Sequence, residues 1–221
     1  DYGHNSLKDA DRIRFAVEGV SQVFTKVIEA PFPALGDFQE KSTRYMNFGR
    51  ESIIYDPVLM KSEFGKDVKK INEELMDLYE KSIPMVKELL IANKVIKKED
   101  FQREAAFINT LNAKAFDICR YMLPSGVRTC IGASFSARIV ESHLYDMLSH
   151  PLTEVRLIAK SMHIEALKVS PGLLSHVSEN QYFISQRKKT LDLTNEIFYK
   201  KDIIKSDIFK GIDNAKCLTL I

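Results

Sequence analysis

A short polar segment and one distant arginine of this chain carry side chains that can bind an anion. Glu40, Ser42 and Arg44 lie within five residues of one another, and Arg120 follows much later. A planar guanidinium binds a phosphate dianion through two hydrogen bonds, and a hydroxyl supplements it. Ser42, Arg44 and Arg120 have the side-chain chemistry for such binding, and Glu40 can hydrogen-bond a polar ligand edge or orient an arginine. The alternative is that both arginines only pair with acids and that Ser42 is a turn hydroxyl.

The histidines and cysteines do not follow a metal-binding pattern. His143 and His150 lie seven residues apart near two glutamates, without the tight spacing of metal ligands, so we interpret them as part of a solvated helix face. The three cysteines are odd in number and unpaired in spacing, which predicts neither a disulfide framework nor a zinc site. Cys119 and Cys130 are expected to be small buried residues, and the expected location is a reducing cytoplasm.

Hydrophobic periodicity predicts the elements that must position these residues. The stretch 31–65, rich in proline, glycine and aromatic residues, is predicted to be a long irregular connection. Pro151 is predicted at the first position of its helix, and Pro84 is expected to kink the helix that contains it. The predicted strands are 13–20, 127–135 and a strand-like 196–199, and the predicted helices are 20–28, 66–93, 100–122, 136–148 and 150–169, with a short helix after Pro171.

Composition narrows the class of protein. A length of 221 residues suits a single domain, here 1–221, and the element pattern predicts a helix-rich α+β fold. Lysine plus arginine (32) nearly balances aspartate plus glutamate (30), which argues against a nucleic-acid-binding module, since such modules carry a basic stripe. No apolar run approaches the roughly 20 residues that cross a bilayer. The chain starts without methionine and ends in an apolar run at 217–221, so we expect a segment of a longer protein.

The segment 38–45 resembles the end of the long active-site motif of flavin-dependent thymidylate synthases. That motif runs Arg-His-Arg, then, after a short gap, an amide and a glutamate, then Ser-x-Arg-Tyr. The matching residues here are Glu40, Ser42, Arg44 and Tyr45. The opening Arg-His-Arg would fall on Phe32-Pro33-Ala34, so polar groups associated with the flavin are replaced by two apolar side chains and a proline.

Three further segments are similar to the same family, in the same order and at comparable spacing. They are Tyr2-Gly3-His4-Asn5-Ser6, the segment from Arg120 to Pro124, which matches Arg-x-x-Leu-Pro, and Ser136-Ala137-Arg138, where serine replaces an asparagine. The resemblance covers roughly 2–170. The family has a further arginine on the helix after this last motif, but 144–148 offers only Asp146, which would repel a phosphate.

The resemblance implies a fold, an activity and a set of ligands. The implied fold is helix-rich with a small, mainly antiparallel sheet. The implied reaction is the reductive methylation of dUMP to dTMP, with methylenetetrahydrofolate and NADPH as cosubstrates and FAD as cofactor. It assigns dUMP to Glu40, Ser42, Arg44 and Arg120, and FAD to His4, Ser6 and Ser136. Read alone, His4 is a surface or packing histidine, and Ser6 and Ser136 are helix N-caps.

The resemblance also implies partners. Active sites in the family form between the subunits of a homotetramer, so we expect a homo-oligomer or a second, similar domain to complete the site. The replaced Arg-His-Arg leaves a second hypothesis open, namely a non-catalytic member that keeps the fold as a nucleotide-binding or scaffolding partner.

Overall fold

The computed structural model describes residues 6–29 and 36–200, with side chains given as far as residue 197. Within this part of the chain the strands are β1 (Arg12–Ser21), β2 (Gly36–Glu40) and β3 (Arg128–Ser136). The helices are α1 (Leu7–Ala10), α2 (Gln22–Glu29), α3 (Pro57–Lys61), α4 (Gly65–Ala92), α5 (Glu104–Cys119), α6 (Ala137–Leu148), α7 (Thr153–Val169), α8 (Pro171–Leu174) and α9 (Gln181–Lys200).

The sheet has β3 at its centre, with β1 and β2 antiparallel on either side. Ile131 of β3 lies opposite Val17 of β1 and Glu40 of β2. A register shift between Glu18 and Val20 contains Gly19, whose φ of 70° suits glycine because it has no Cβ. The expectation of a helix-rich α+β fold with a small antiparallel sheet is confirmed.

Two buried clusters hold the fold together. The first packs one face of the sheet against α2, α6, α7 and α8, and includes Phe24, Phe135 and Leu144. The second packs α4 on α5 and is closed by Phe48 and Ile53 from the loop after β2. The second cluster fixes the position of the α5 C-terminus relative to that loop, which is where the candidate phosphate ligands lie.

Several predicted elements were correct in kind but wrong in extent. The stretch expected to be irregular contains β2 and α3, because Asp56 caps α3 and Pro57 fits its first turn. Helix α4 is continuous through Pro84, which is exposed, so water can replace the lost backbone hydrogen bond. Helix α7 begins at Thr153 and not at Pro151.

The strand-like interpretation of 196–199 was wrong, since these residues continue α9. A run of four residues carries a weak β preference, and the helix formers before it extend the helix. The strand at 127–135 and the helix at 136–148 are confirmed within one residue. His4, Phe32-Pro33-Ala34 and Cys217 lie outside the described residues, and the single domain over 1–221 stays a prediction.

Candidate nucleotide-binding site

The structure brings Arg44 and Arg120 to the same carboxylate. The Nε atoms of Arg44 and Arg120 lie 3.1 Å and 3.2 Å from Oδ1 of Asp117. The Arg120 and Asp117 side chains are 27% and 32% exposed, and Arg44 is 55% exposed. Two guanidiniums and one carboxylate leave one net positive charge in a partly desolvated position. The structure therefore shows both arginines paired with an acid, as the alternative hypothesis predicted.

The ion pairs of Asp117 with both arginines are made at the Nε atoms. Neither Oδ1 of Asp117 nor Nε of Arg120 has a well-aligned hydrogen bond in the described part of the chain, so the attraction is mainly coulombic. The terminal nitrogens of both arginines make no hydrogen bond to the described residues and remain available as donors. A guanidinium binds a phosphate bidentately through such nitrogens.

Local structure explains why these side chains converge. Arg120 caps the C-terminus of α5, where its N–H donates to the carbonyl of Phe116 and its charge is favoured by the helix dipole. The negative charge of Asp117 lies in the same last turn, where it is repelled by the negative end of the helix dipole. The two arginines offset this repulsion. The loop that carries Arg44 is held to β3, because the Lys41 N–H donates to the carbonyl of Cys130 at 3.0 Å.

Ser42 and Glu40 lie on the same loop and strand but make other contacts. Ser42 Oγ accepts a hydrogen bond from the Arg44 N–H at 3.2 Å, which gives it the turn role of the alternative hypothesis and leaves its own proton to donate. Glu40 Oε1 accepts from the Thr25 hydroxyl at 3.1 Å. Burial and the nearby charge of Glu40 raise the pKa of Glu29. Glu40 therefore faces α2 and does not contact either arginine.

The two serines assigned to FAD lie at the opposite end of the sheet. Ser136 is buried and caps α6 by accepting from the Ile139 N–H at 3.4 Å, while Ser6 occupies the N-cap position of α1 without a side-chain bond. Ser136 follows Ile131, the partner of Glu40, by five residues, or about 17 Å along β3. The neighbouring Arg138 pairs with Asp9 at 2.9 Å. Within one chain, the two serines therefore do not lie beside the arginine pair.

Asp146, on the helix after Ser136, has an arginine partner that the sequence did not reveal. Asp146 is paired with Arg187 of α9 through a contact of 2.6 Å, and Arg187 also donates to the carbonyls of Asp146 and Ser149. A cavity of about 830 Å³ lies between α9 and the α6–α7 loop, and a second, of about 610 Å³, lies between Asp146 and α2. Among the described residues, none of the predicted site residues lines either cavity.

The interpretation of His143 as part of a solvated helix face was wrong, because this residue is buried. It is only 4% exposed, its ring packs edge-on against Phe135 with centroids 4.8 Å apart, and neither ring nitrogen has a partner in the described part of the chain. Burial lowers its pKa to about 4. His150 is half-buried, and burial together with Arg187 also lowers its pKa. Cys119 is buried as expected, whereas Cys130 is only half-buried.

Sequence analysis missed Asp117 and Arg187. Asp117 could have been found from the i, i+3 spacing of opposite charges on α5, which places it beside Arg120. Arg187 offered no local signal, because its partner lies 41 residues earlier.

Across residues 6–29 and 36–200, no cluster of three or more metal-ligand side chains occurs. In that same part of the chain, no helix has the length and apolar character needed to cross a membrane.

Known proteins similar to this chain define its family. Residues 1–172 of the 221 match the family model described as thymidylate synthase complementing protein, so the chain belongs to this family and the resemblance is confirmed. The UPF0159 protein of Chlamydia muridarum is 28% identical over 187 residues, which cover 82% of this chain and 35% of that protein. The UPF0159 protein of Chlamydia pneumoniae is 29% identical over 180 residues, covering 79% and 33%. The chain thus spans about a third of the length of these relatives.

Solved structures of other proteins are also similar to this chain, at low sequence identity. A flavin-dependent thymidylate synthase from Helicobacter pylori, complexed with FAD and dUMP, matches with a TM-score of 0.46 and 17% identity, covering 80% of this chain and 77% of that one. A UMP/dUMP methylase from Streptomyces cacaoi, bound with 5-Br UMP, matches with a TM-score of 0.46 and 15% identity, covering 75% and 72%.

Neutralising Asp117 is expected to strengthen phosphate binding. Asp117→Asn keeps an oxygen beside both arginines but removes the negative charge that opposes a phosphate, so we expect dUMP affinity to rise about three- to tenfold at low salt and less at high salt. Calorimetric titration at two ionic strengths measures this effect. Asp77→Asn is the matched control, because Asp77 lies on α4, is equally exposed and pairs with a different arginine, Arg50. Unchanged or weaker binding by Asp117→Asn alone would contradict the expectation.

Proposed function

We propose that this chain supplies the nucleotide-binding part of a flavin-dependent thymidylate synthase. Such a synthase converts dUMP to dTMP with methylenetetrahydrofolate, FAD and NADPH. The proposed location of this reaction is the cytoplasm. Family membership supports the reaction class. The single observation that carries the proposal is the convergence of Arg44 and Arg120 on Asp117, which gathers two guanidiniums from distant parts of the chain at one point.

The proposed role of the arginines is to bind and orient the nucleotide phosphate. Their terminal nitrogens replace water around the dianion, and the Ser42 hydroxyl adds a donor from the same loop. Holding the phosphate at two points also fixes the direction of the pyrimidine, and holding reactants in register removes several kcal/mol of barrier, up to roughly 7–11 in ideal cases. Glu40 is proposed to hydrogen-bond the nucleotide on the side that faces α2.

FAD is proposed to bind where this chain meets a second copy or a second, similar domain. The observation behind this step is the distance between the arginine pair and Ser136 within one chain, together with the Phe32-Pro33-Ala34 replacement. A flavin bound between two chains would take Ser6, Ser136 and His4 from one and the arginine pair from the other. When bound, FAD supplies the hydride, and the chain's own part is binding and orientation.

The same observations favour a second candidate function, a non-catalytic nucleotide-binding member of the family. Ser136 caps α6, and the segment that would carry Arg-His-Arg contains no basic side chain. Such a protein would bind dUMP through Arg44 and Arg120 without binding a flavin.

One experiment separates the two candidates. The purified protein is incubated with FAD, its absorption spectrum is recorded during a dUMP titration, and dTMP is then assayed with methylenetetrahydrofolate and NADPH. The proposed synthase predicts a bound flavin whose spectrum responds to dUMP, followed by turnover. Binding of dUMP with no flavin and no dTMP would establish the non-catalytic candidate. Binding of neither ligand would overturn both.

A further inference from the structure

Helix α4 carries more apolar surface than its own fold covers. Its inner row comprises Met76, Tyr79, Ile83 and Val86, which pack in the second buried cluster, and the buried Leu90. A second row, which we call the outer row, comprises Phe64, Val68, Ile71, Leu75, Leu78, Ser82, Met85 and Leu89. Five members of the outer row, Phe64, Ile71, Leu78, Met85 and Leu89, are between 51% and 61% exposed. Most isolated exposed apolar side chains need no explanation, but a continuous row along a 28-residue helix does.

The spacing of the outer row identifies the kind of surface that would cover it. Successive members are separated alternately by four and three residues over the whole helix. This is the heptad pattern of a coiled coil, in which the apolar residues of one helix pack between those of another long helix. A loop, a strand or a small ligand would not match a row of this length and period.

We propose that the outer row packs antiparallel against the outer row of a second copy of this chain. A two-fold axis that crosses α4 between Met76 and Asp77 matches every member of the row with another. The four matched pairs, each occurring twice across the interface, are Leu75 with Leu78, Ile71 with Ser82, Val68 with Met85, and Phe64 with Leu89. A two-fold interface requires such a self-complementary surface.

The charges beside the outer row support this arrangement. The flanking row on its solvent side contains Asp67, Glu74, Lys81 and Glu88. The same two-fold axis places Glu74 opposite Tyr79 of the second copy, so Lys81 of that copy lies two residues, or about 3 Å, further along the helix and within reach of the Glu74 carboxylate. Asp67 and Glu88 meet at the ends of the interface, where solvent screens their repulsion.

A parallel arrangement lacks this complementarity. Each flanking charge would then face the row of Gly65, Asn72, Tyr79 and Val86 on the second copy, which contains no charged partner. Of the two arrangements, only the antiparallel dimer brings Glu74 close to Lys81 of the second copy. The inference depends only on α4 and goes beyond the proposed function.

A charge exchange tests the inference. Glu74→Lys places two lysines close to each other at both symmetric positions, and we expect the dimer dissociation constant, measured by sedimentation equilibrium, to rise about tenfold or more. Adding Lys81→Glu to the same chain reverses both charges and is expected to restore the dimer. Within one chain Glu74 lies 3.9 Å from Lys70, and the second change does not repair that contact. Restored association would therefore come from the pairing across the interface.

Two further variants keep the test specific. Leu78→Glu, at the centre of the outer row, is expected to give a monomer with an unchanged circular dichroism spectrum. Leu157→Glu, on α7 and similarly exposed at 58%, is expected to leave the dimer intact. A monomeric wild-type protein at high concentration, a double charge exchange as weak as Glu74→Lys alone, or equal disruption by Leu157→Glu would overturn the proposal.

Discussion

Replacing Arg120 by alanine is expected to weaken dUMP binding by about 30- to 100-fold. A bidentate, charge-assisted contact with a phosphate contributes about 2–3 kcal/mol, and each 1.4 kcal/mol is a factor of ten. The loss also leaves Asp117 with a single arginine, so its negative charge opposes the phosphate more strongly. Arg44→Ala is expected to cost only about tenfold, because Arg44 is twice as exposed as Arg120 and water screens its charge.

Three companion variants make this result interpretable. Arg120→Lys keeps the charge but loses the planar fork, so it should recover only part of the affinity. The double change of Arg44 and Arg120 to alanine should cost less than the two single effects combined, because both contact Asp117 and are proposed to hold one phosphate. Arg103→Ala, an exposed arginine before the other end of α5, is the control. If dUMP titration gave Arg120→Ala the affinity of this control, the assigned phosphate site would be wrong.

The arginine pair shows what the sequence could predict about the site and what it could not. The motifs indicated Arg44 and Arg120 separately, since each is flanked by residues of its family segment. Their common contact with Asp117 depends on the packing of α5 against the loop after β2, and Phe48 and Phe116 sit in the cluster that sets this packing. Tertiary packing of this kind has no local sequence signature.

The same limit applies to secondary structure. Long elements with strong periodicity, such as α4 and β3, were predictable because many side chains repeat one preference. The five-residue β2 was missed because its pairing with β3 stabilises a segment whose own pattern is weak. In the case of 196–199, the helix that precedes the segment determined its structure, and the local β preference did not.

Ser136 illustrates a residue for which a motif and local physics give different roles. Its match to the family segment implies a flavin contact, whereas its position after β3 and before α6 predicts an N-cap. The structure shows the cap, with the Ser136 side chain 8% exposed. A serine hydroxyl can accept from the helix and still donate one proton, so the flavin role stays a prediction that depends on a second chain.

Mild acid is expected to destabilise the fold through His143. The folded pKa of about 4 lies below the ordinary histidine value of 6.5, so between these pH values the unfolded chain binds a proton that the folded chain does not. Stability is therefore fully present above about pH 6.5 and falls as the pH falls towards 4. The expected loss from this group is about 2 kcal/mol at pH 5 and about 3 kcal/mol by pH 4. Denaturant unfolding at several pH values measures it.

Removing the imidazole should remove this loss. His143→Leu puts an apolar side chain where both ring nitrogens are buried without partners, so at pH 7 we expect a change of at most about 1 kcal/mol despite the lost contact with Phe135. At pH 5 the variant should be more stable than the wild type by about 2 kcal/mol. His150, whose pKa is also lowered, leaves a smaller residual pH dependence. His163→Leu, at a ring that contacts the carbonyl oxygen of Leu174 at 2.9 Å, is the control and should keep the full acid loss. An acid loss of equal size in His143→Leu would show that the buried ring is not its source.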